Sequence, residues 1–182
     1  QVMQSLILKL KSPQFTPQMY VPIEEFVTQE SGKTFGNIAY ESYKKFKGNS
    51  PIINIENSYP GSAISSGEEL KKVIEEARKN FVINAKSNGM SESEAKNLSE
   101  KFIGATWDLG RLNTLRKQGF SEKDIIRETE KIAPLVKHVH LSDNFGFEGT
   151  EIPMGMGNVP VKEIMQKLGE KGFEGKKVIE AM

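Results

Sequence analysis

FIGATWD, at residues 102–108, runs through apolar and β-branched side chains and stops at a carboxylate. Three further segments have the same form: PIINIEN (51–57), VKHVHLS (136–142) and KKVIEA (176–181). Each of the four segments predicts a β-strand. In chain order, the first, second and fourth apolar runs are nearly continuous, which is typical of parallel strands buried on both faces.

Helical patterns lie between these strands. Residues 66–88 carry an apolar stripe at three- and four-residue spacing, formed by Leu70, Val73, Ile74, Ala77, Phe81 and Ala85. Ser91 with Glu94, and Ser121 with Asp124, have the spacing of N-terminal helix caps. Because each connection is long enough for a crossover, the sequence predicts an α/β protein built from parallel βα units.

The first 50 residues carry weaker signals. Thr34–Lys47 predicts a helix that leads into the strand at residue 51. The segment 12–30 contains three prolines, which predict an extended loop with one strand around Met19–Val27. No repeat, low-complexity tract or linker divides the chain, so residues 1–182 are expected to form a single domain.

The composition narrows the function classes. The chain has 25 Lys+Arg, 24 Asp+Glu and no cysteine. Disulfides and thiolate metal sites are therefore excluded. We do not expect a nucleic-acid partner, because the sequence has no basic stripe. No apolar run approaches the ~20 residues of a membrane span. We expect a cytoplasmic protein with no membrane association.

Polar side chains stand at the carboxyl ends of the four predicted strands: Glu56, Asp108, His140 and Glu180. In parallel α/β folds these strand ends form the ligand-binding face. Three carboxylates and one imidazole form a mixed oxygen and nitrogen set suited to Mg, Mn, Co or Zn. The sequence therefore predicts a divalent metal site.

Each of these residues also has an ordinary structural interpretation. Glu56 has the position of a solvated strand end, and Glu180 that of an exposed residue near the terminus. Asp108 has the position of a cap for the turn that begins at Leu109, and His140 has that of a satisfied core histidine. His138 points to the same side as His140, because side chains along a strand repeat every two residues. His140 is the better ligand, since it is nearer the strand end. A chance origin would require a polar residue of this kind at the end of every one of the four predicted strands, so the pattern as a whole favours the metal site.

The strand ends also carry a resemblance to a known family. Its motifs are IEN (55–57), ATWDLGRLN (105–113), VKHVHLSDNFG (136–146), PMGMGNVP (153–160) and KKVIEA (176–181). They resemble the last four strands of the xylose isomerase-like TIM barrels, a superfamily of sugar and sugar-phosphate isomerases and epimerases that also includes endonuclease IV. The resemblance covers roughly residues 51–182. It implies a partial (β/α)8 barrel that lacks its N-terminal strands and whose open edges favour a homo-oligomer.

The same resemblance implies an activity. It assigns metal binding to Glu56, Asp108, His140 and Glu180, and it makes Glu56 and Glu180 the acid/base pair that exchanges the proton of a sugar or sugar phosphate. We assign substrate contacts to Asn57, Arg111, His138 and Asp143. Each of three of these residues also has a structural alternative. Arg111 can pair with a surface acid, His138 can form a hydrogen bond one layer below His140, and Asp143 can form the turn after the strand.

Two departures from the family pattern bear on the choice of function. Members often carry Asp-x-x-His after the sixth strand, whereas Arg111 occupies the histidine position here, and arginine does not ligate metals. The stretch FEGTEIP (147–153) lacks a further Asp-x-His. An endonuclease IV-like phosphodiesterase with several zinc ions is therefore a weaker alternative than a mononuclear isomerase. A catalytically inactive barrel with a binding role is the third alternative.

Overall fold

The computed structural model describes residues 3–4 and 20–180. Its main helices are α1 (Ile23–Phe46), α2 (Gly67–Ser87), α3 (Glu92–Phe102), α4 (Leu109–Asn113), α5 (Glu122–Ile132) and α6 (Val161–Glu170). Its strands are β1 (Ile53–Glu56), β2 (Ile103–Asp108), β3 (Val136–Leu141) and β4 (Lys176–Ile179). The predicted alternation of strands and helices is confirmed.

The strands form one parallel four-stranded sheet in the order β1-β2-β3-β4. Ile55 is level with Ala105, Asp108 with His140, and His140 with Val178. Neighbouring strands are neighbours in the chain and are joined by helices, which is the connectivity of a (β/α)8 barrel. The fold is α/β and matches part of a TIM barrel.

One face of the sheet packs against the helices. Ile55, Ala105, Trp107 and Val139 on that face are buried, and the predicted stripe of α2 is buried with them. The Trp107 indole nitrogen donates a hydrogen bond to the Thr129 hydroxyl of α5 at 3.1 Å. Because side chains alternate along a strand, Asp108 lies on the opposite face from Trp107.

Local caps set where the central helices begin. The Ser66 and Ser121 side chains form capping boxes with Glu69 and Asp124. The Ser91 side chain accepts a hydrogen bond from the Glu94 amide, as its spacing predicts. These bonds satisfy amides that the first helical turn leaves without a backbone partner.

The prediction for residues 12–30 is wrong where the structure describes them. Residues 20–22 form no strand, and residues 23–30 belong to helix α1. The part of the prediction on residues 12–19 lies outside the described residues. Pro22 stands at the N-cap of the helix, where a missing N–H costs no hydrogen bond. Gly32 lets α1 approach α2 closely, because a Cβ at Gly32 would lie 2.6 Å from a Glu76 side-chain carbon.

The prediction that the apolar strands are buried on both faces holds for β2 only. Every residue of β2 is buried, whereas all four residues of β4 are exposed. β1 and β4 are the edges of the sheet, so each pairs on one side only. In the part of the chain that the structure describes, no helix has the length and apolar character needed to cross a membrane.

Candidate metal centre

The face of the sheet opposite the helices is polar. The register places Thr106 beside His138, and Asp108 beside His140. Asn54 and Glu56 continue this face on β1, by the same two-residue alternation. Glu56, Asp108 and His140 form its layer nearest the carboxyl ends of the strands.

His140 is the centre of the cluster. Its Nδ1 atom lies 2.8 Å from Glu56 Oε1 and 3.2 Å from Glu180 Oε1. Glu56, Asp108 and His140 each offer one potential ligand atom, and these three atoms all lie within 4.8 Å of one another. The amide of Glu180 also bonds to the Leu141 carbonyl at 2.9 Å, which anchors Glu180 beside β3. The structure thus brings together all four residues that the strand ends single out.

Several buried polar atoms on this face have no hydrogen bond, among them Glu56 Oε1 and His140 Nδ1. Glu56 Oε1 and His140 Nδ1 face each other at short distance, but their alignment is not that of a hydrogen bond. A buried polar group without a partner costs about 1–3 kcal/mol. A cation between the two atoms would satisfy both, so the residues present fit a metal ion.

Asp108 is fixed from several directions. The Asn57 side chain donates to the Asp108 carbonyl at 3.0 Å and accepts from the Asp108 amide at 2.8 Å. Asp108 Oδ1 accepts the Arg111 amide at 2.9 Å and thereby caps α4. Burial raises the pKa of Asp108, while the Arg111 amide and guanidinium act in the opposite direction. The carboxyl group is thus held in one orientation facing the cluster.

Asn57 has a structural role that we did not predict, and its predicted contact with substrate stays a prediction. Its side chain is completely buried, and both ends of the amide are bonded to the main chain of Asp108. The Asn57 side chain therefore positions Asp108.

Arg111 lies inside the cluster. Its Nη1 atom is 3.1 Å from Glu56 Oε2, and its Nε atom is 3.1 Å from Asp108 Oδ2. The Nε contact is an ion pair and not a hydrogen bond, because the N–H does not align with the carboxylate. Burial alone would lower the pKa of Arg111, but the charges of Asp108 and Glu56 outweigh it and raise that pKa. Arg111 thus pairs with acids, as its structural alternative holds, although Asp108 is buried. Its predicted contact with a substrate anion stays a prediction.

His138 lies one layer below His140. The two imidazole rings meet edge to face, with their centroids 4.9 Å apart. Burial, and then the neighbouring His140, lower the pKa of His138. The Nε2 atom of His138 is buried without a hydrogen bond, so the structure does not show the hydrogen-bonding alternative. The predicted contact of His138 with substrate stays a prediction.

Asp143 organises the loop after β3. Its carboxylate accepts hydrogen bonds from the amides of Asn144 (2.9 Å), Gly155 (2.8 Å), Gly157 (2.9 Å) and Val159 (3.2 Å). Four donors fill the acceptor positions of a carboxylate. Asp143 therefore holds the glycine-rich segment 153–159, in line with its structural alternative. Its predicted contact with substrate stays a prediction.

Sequence reasoning missed one residue beside the centre. The ring of Tyr59 lies 5.5 Å from the Arg111 guanidinium carbon, in the range of a cation–π contact. Gly149 packs on the same ring, since a Cβ there would lie 2.5 Å from a Tyr59 ring carbon. No local signal singles out Tyr59, because its partners are distant in the chain.

A cavity of about 260 Å³ lies in the loop after β3. It is lined by Asn144, Phe145, Phe147, Glu148, Thr150 and Ile152. None of the four strand-end side chains lines it. The cavity is therefore separate from the cluster around His140.

The chain was compared with known families, curated proteins and solved structures. No protein-family model matches the chain. An uncharacterized protein from Methanocaldococcus jannaschii is 31% identical over 80 residues, which are 44% of this chain and 26% of that protein. The chain thus matches about a quarter of the length of this curated relative. A crystal structure of a D-tagatose 3-epimerase-like protein is 19% identical with a TM-score of 0.45, over 88% of this chain and 65% of that one.

Proposed function

We propose that this chain carries the metal-binding side of a divalent-metal-dependent sugar or sugar-phosphate isomerase or epimerase. The observation that carries the proposal is the convergence of Glu56, Glu180 and Asp108 around His140, with buried atoms of Glu56 and His140 left without hydrogen bonds. The resemblance of the strand-end motifs to xylose isomerase-like barrels supports the same activity.

The donor set determines which ions suit the site. Three carboxylates and one imidazole favour Mn, Mg, Co or Zn over soft metals, which prefer sulfur. When bound, the ion would polarise the oxygens of a sugar substrate and acidify the C–H bond between them. The role of this chain's residues is then to hold the substrate carbon beside a base.

Exposure separates the proton-transfer residues from the fixed ligand. The Glu56 and Glu180 side chains are 28% and 30% exposed, whereas the Asp108 side chain is 2% exposed. A carboxylate that exchanges a proton with substrate must reach it, so Glu56 and Glu180 suit the role of acid/base pair. Asp108, which is buried and capped, suits the role of ligand only.

A catalytically inactive barrel is the second candidate, and one observation favours it. The Arg111 guanidinium already neutralises part of the charge of Glu56 and Asp108, as a structural ion pair would. Under this alternative the chain folds around its own cation and binds a small molecule without turnover.

The test compares Glu180→Gln with the exposed control Glu163→Gln on α6. We expect the unaltered chain, supplied with Mn²⁺, to catalyse deuterium incorporation from D₂O into one of a panel of ketoses and ketose phosphates. Glu180→Gln should lower this exchange by about 10²–10⁴-fold, while the control stays unchanged. Calorimetric titration with Mn²⁺ should show that Glu180→Gln still binds the ion. Absence of Mn²⁺ binding to the unaltered chain would contradict the proposal, and binding without exchange on any sugar would favour the inactive barrel.

A further inference from the structure

Arg111 holds the outer oxygens of two candidate ligands. Its Nη1 atom contacts Oε2 of Glu56, and its Nε atom contacts Oδ2 of Asp108. A guanidinium presents its donors in a rigid planar fork, so one side chain can pair with both carboxylates at once. The cluster therefore contains a positive charge supplied by the chain itself.

We propose that Arg111 is an internal competitor of the divalent ion, which must leave Asp108 and Glu56 before the metal can bind with its full ligand set. This inference rests on the metal site proposed above. It adds a second state of that site, in which the guanidinium takes the place of the ion.

Arg111 contacts both carboxylate oxygens of Asp108, so Asp108 is the candidate ligand that it blocks most completely. Its Oδ1 atom accepts the Arg111 amide, and its Oδ2 atom pairs with the Arg111 side chain. A single residue thus occupies both oxygens of Asp108. On Glu56, by contrast, Oε1 faces His140 and has no hydrogen bond. An incoming ion would find Glu56 and His140 ready and would have to displace the guanidinium from Asp108.

Charge makes the two cations mutually exclusive at this distance. Like charges a few ångströms apart repel strongly where burial reduces solvent screening, and the Arg111 side chain is only 30% exposed. Once the ion neutralises the carboxylates, Arg111 loses the attraction that holds it. The ring of Tyr59 already lies 5.5 Å from the guanidinium carbon, so this cation–π contact can retain the guanidinium when it leaves the carboxylates. The move requires only side-chain rotation, because the Arg111 amide can keep its cap on Oδ1.

The first test is metal affinity. Arg111→Gln removes the charge and keeps the backbone amide that bonds to Asp108. Arg127→Gln is a matched control because, among the residues that the structure describes, Arg127 pairs with Asp124 alone, on its own helix. Calorimetric titration of the metal-free chain with Mn²⁺ should give a dissociation constant lower by about tenfold or more for Arg111→Gln, the size of effect typical for outer partners of metal ligands. Arg127→Gln should match the unaltered chain. The melting temperature in EDTA should fall for Arg111→Gln, because the carboxylates lose their counter-charge.

Equal or weaker Mn²⁺ binding by Arg111→Gln would overturn the inference and leave the proposed metal site intact. Absence of Mn²⁺ binding to both proteins would overturn the metal site itself, and the inference with it. The two failures are therefore distinguishable.

A second measurement needs no variant and so does not depend on the folding of Arg111→Gln. Phenylglyoxal modifies accessible arginines, and peptide mass spectrometry locates the modified residue. Addition of Mn²⁺ to the unaltered chain should increase the modification rate of Arg111 several-fold and leave that of Arg127 unchanged. An unchanged or slower rate at Arg111 with bound Mn²⁺ would show that the guanidinium stays on the carboxylates, contrary to the inference.

Discussion

Asn57→Ala tests whether the buried amide holds Asp108 in place. The Asn57 side chain is completely buried and makes two hydrogen bonds to the Asp108 main chain, at 3.0 and 2.8 Å. The substitution leaves the N–H and the C=O of Asp108 without these partners. Each unsatisfied buried group costs about 1–3 kcal/mol, so the free energy of unfolding should fall by roughly 2–5 kcal/mol. For a domain of this size the melting temperature should fall by roughly 5–15 °C.

The assay is urea denaturation of the metal-free chain, followed by far-UV circular dichroism. Asn84→Ala is the control, because its side chain makes one exposed hydrogen bond, to Asn37 at 2.7 Å. We expect that control to change the free energy of unfolding by less than about 0.5 kcal/mol. Asn57→Ala should also weaken Mn²⁺ binding, since the Asp108 carboxyl loses its orientation. A loss below about 1 kcal/mol with unchanged Mn²⁺ affinity would refute the positioning role.

Three further predictions follow from the same contacts. Gly67→Ala should lower the free energy of unfolding by about 1–3 kcal/mol, because a Cβ at this position would overlap the Glu128 carbonyl oxygen. Gly48→Ala is the control and should leave that free energy unchanged, because the space around Gly48 is open. Equal effects of the two substitutions in urea denaturation would contradict this packing argument. Burial raises the pKa of Asp108 above its ordinary 3.8, so ionisation of this group opposes folding. The metal-free unaltered chain should therefore lose stability relative to Asp108→Asn as pH rises above about 3.8 in urea denaturation, and a constant difference would contradict the shift. Mn²⁺ at 100 times its dissociation constant should raise the free energy of unfolding by about 2.7 kcal/mol, and EDTA should reverse this increase. A melting temperature that responds to neither Mn²⁺ nor EDTA would contradict a metal site that exists only in the folded chain.

Short-range patterns in the sequence were enough to predict the sheet and most helices. Alternation and apolar runs locate all four strands, β1 to β4, and the stripe of α2 is buried as its spacing predicts. The strand-end rule also predicts that Glu56, Asp108, His140 and Glu180 meet, because parallel strands bring their carboxyl ends to one edge. The same alternation could have singled out Asn54 and Thr106, two residues before Glu56 and Asp108.

The roles of Asn57, Asp143 and Arg111 were decided only by the tertiary structure. Asn57 bonds to a residue 51 positions away, and Arg111 reaches Glu56 on another strand. The Asp143 carboxylate accepts hydrogen bonds from amides of a loop that begins ten residues later. Periodicity records which face a side chain occupies, because that depends on its own backbone. Which partner the side chain finds depends on how distant segments pack, and no local pattern contains that information.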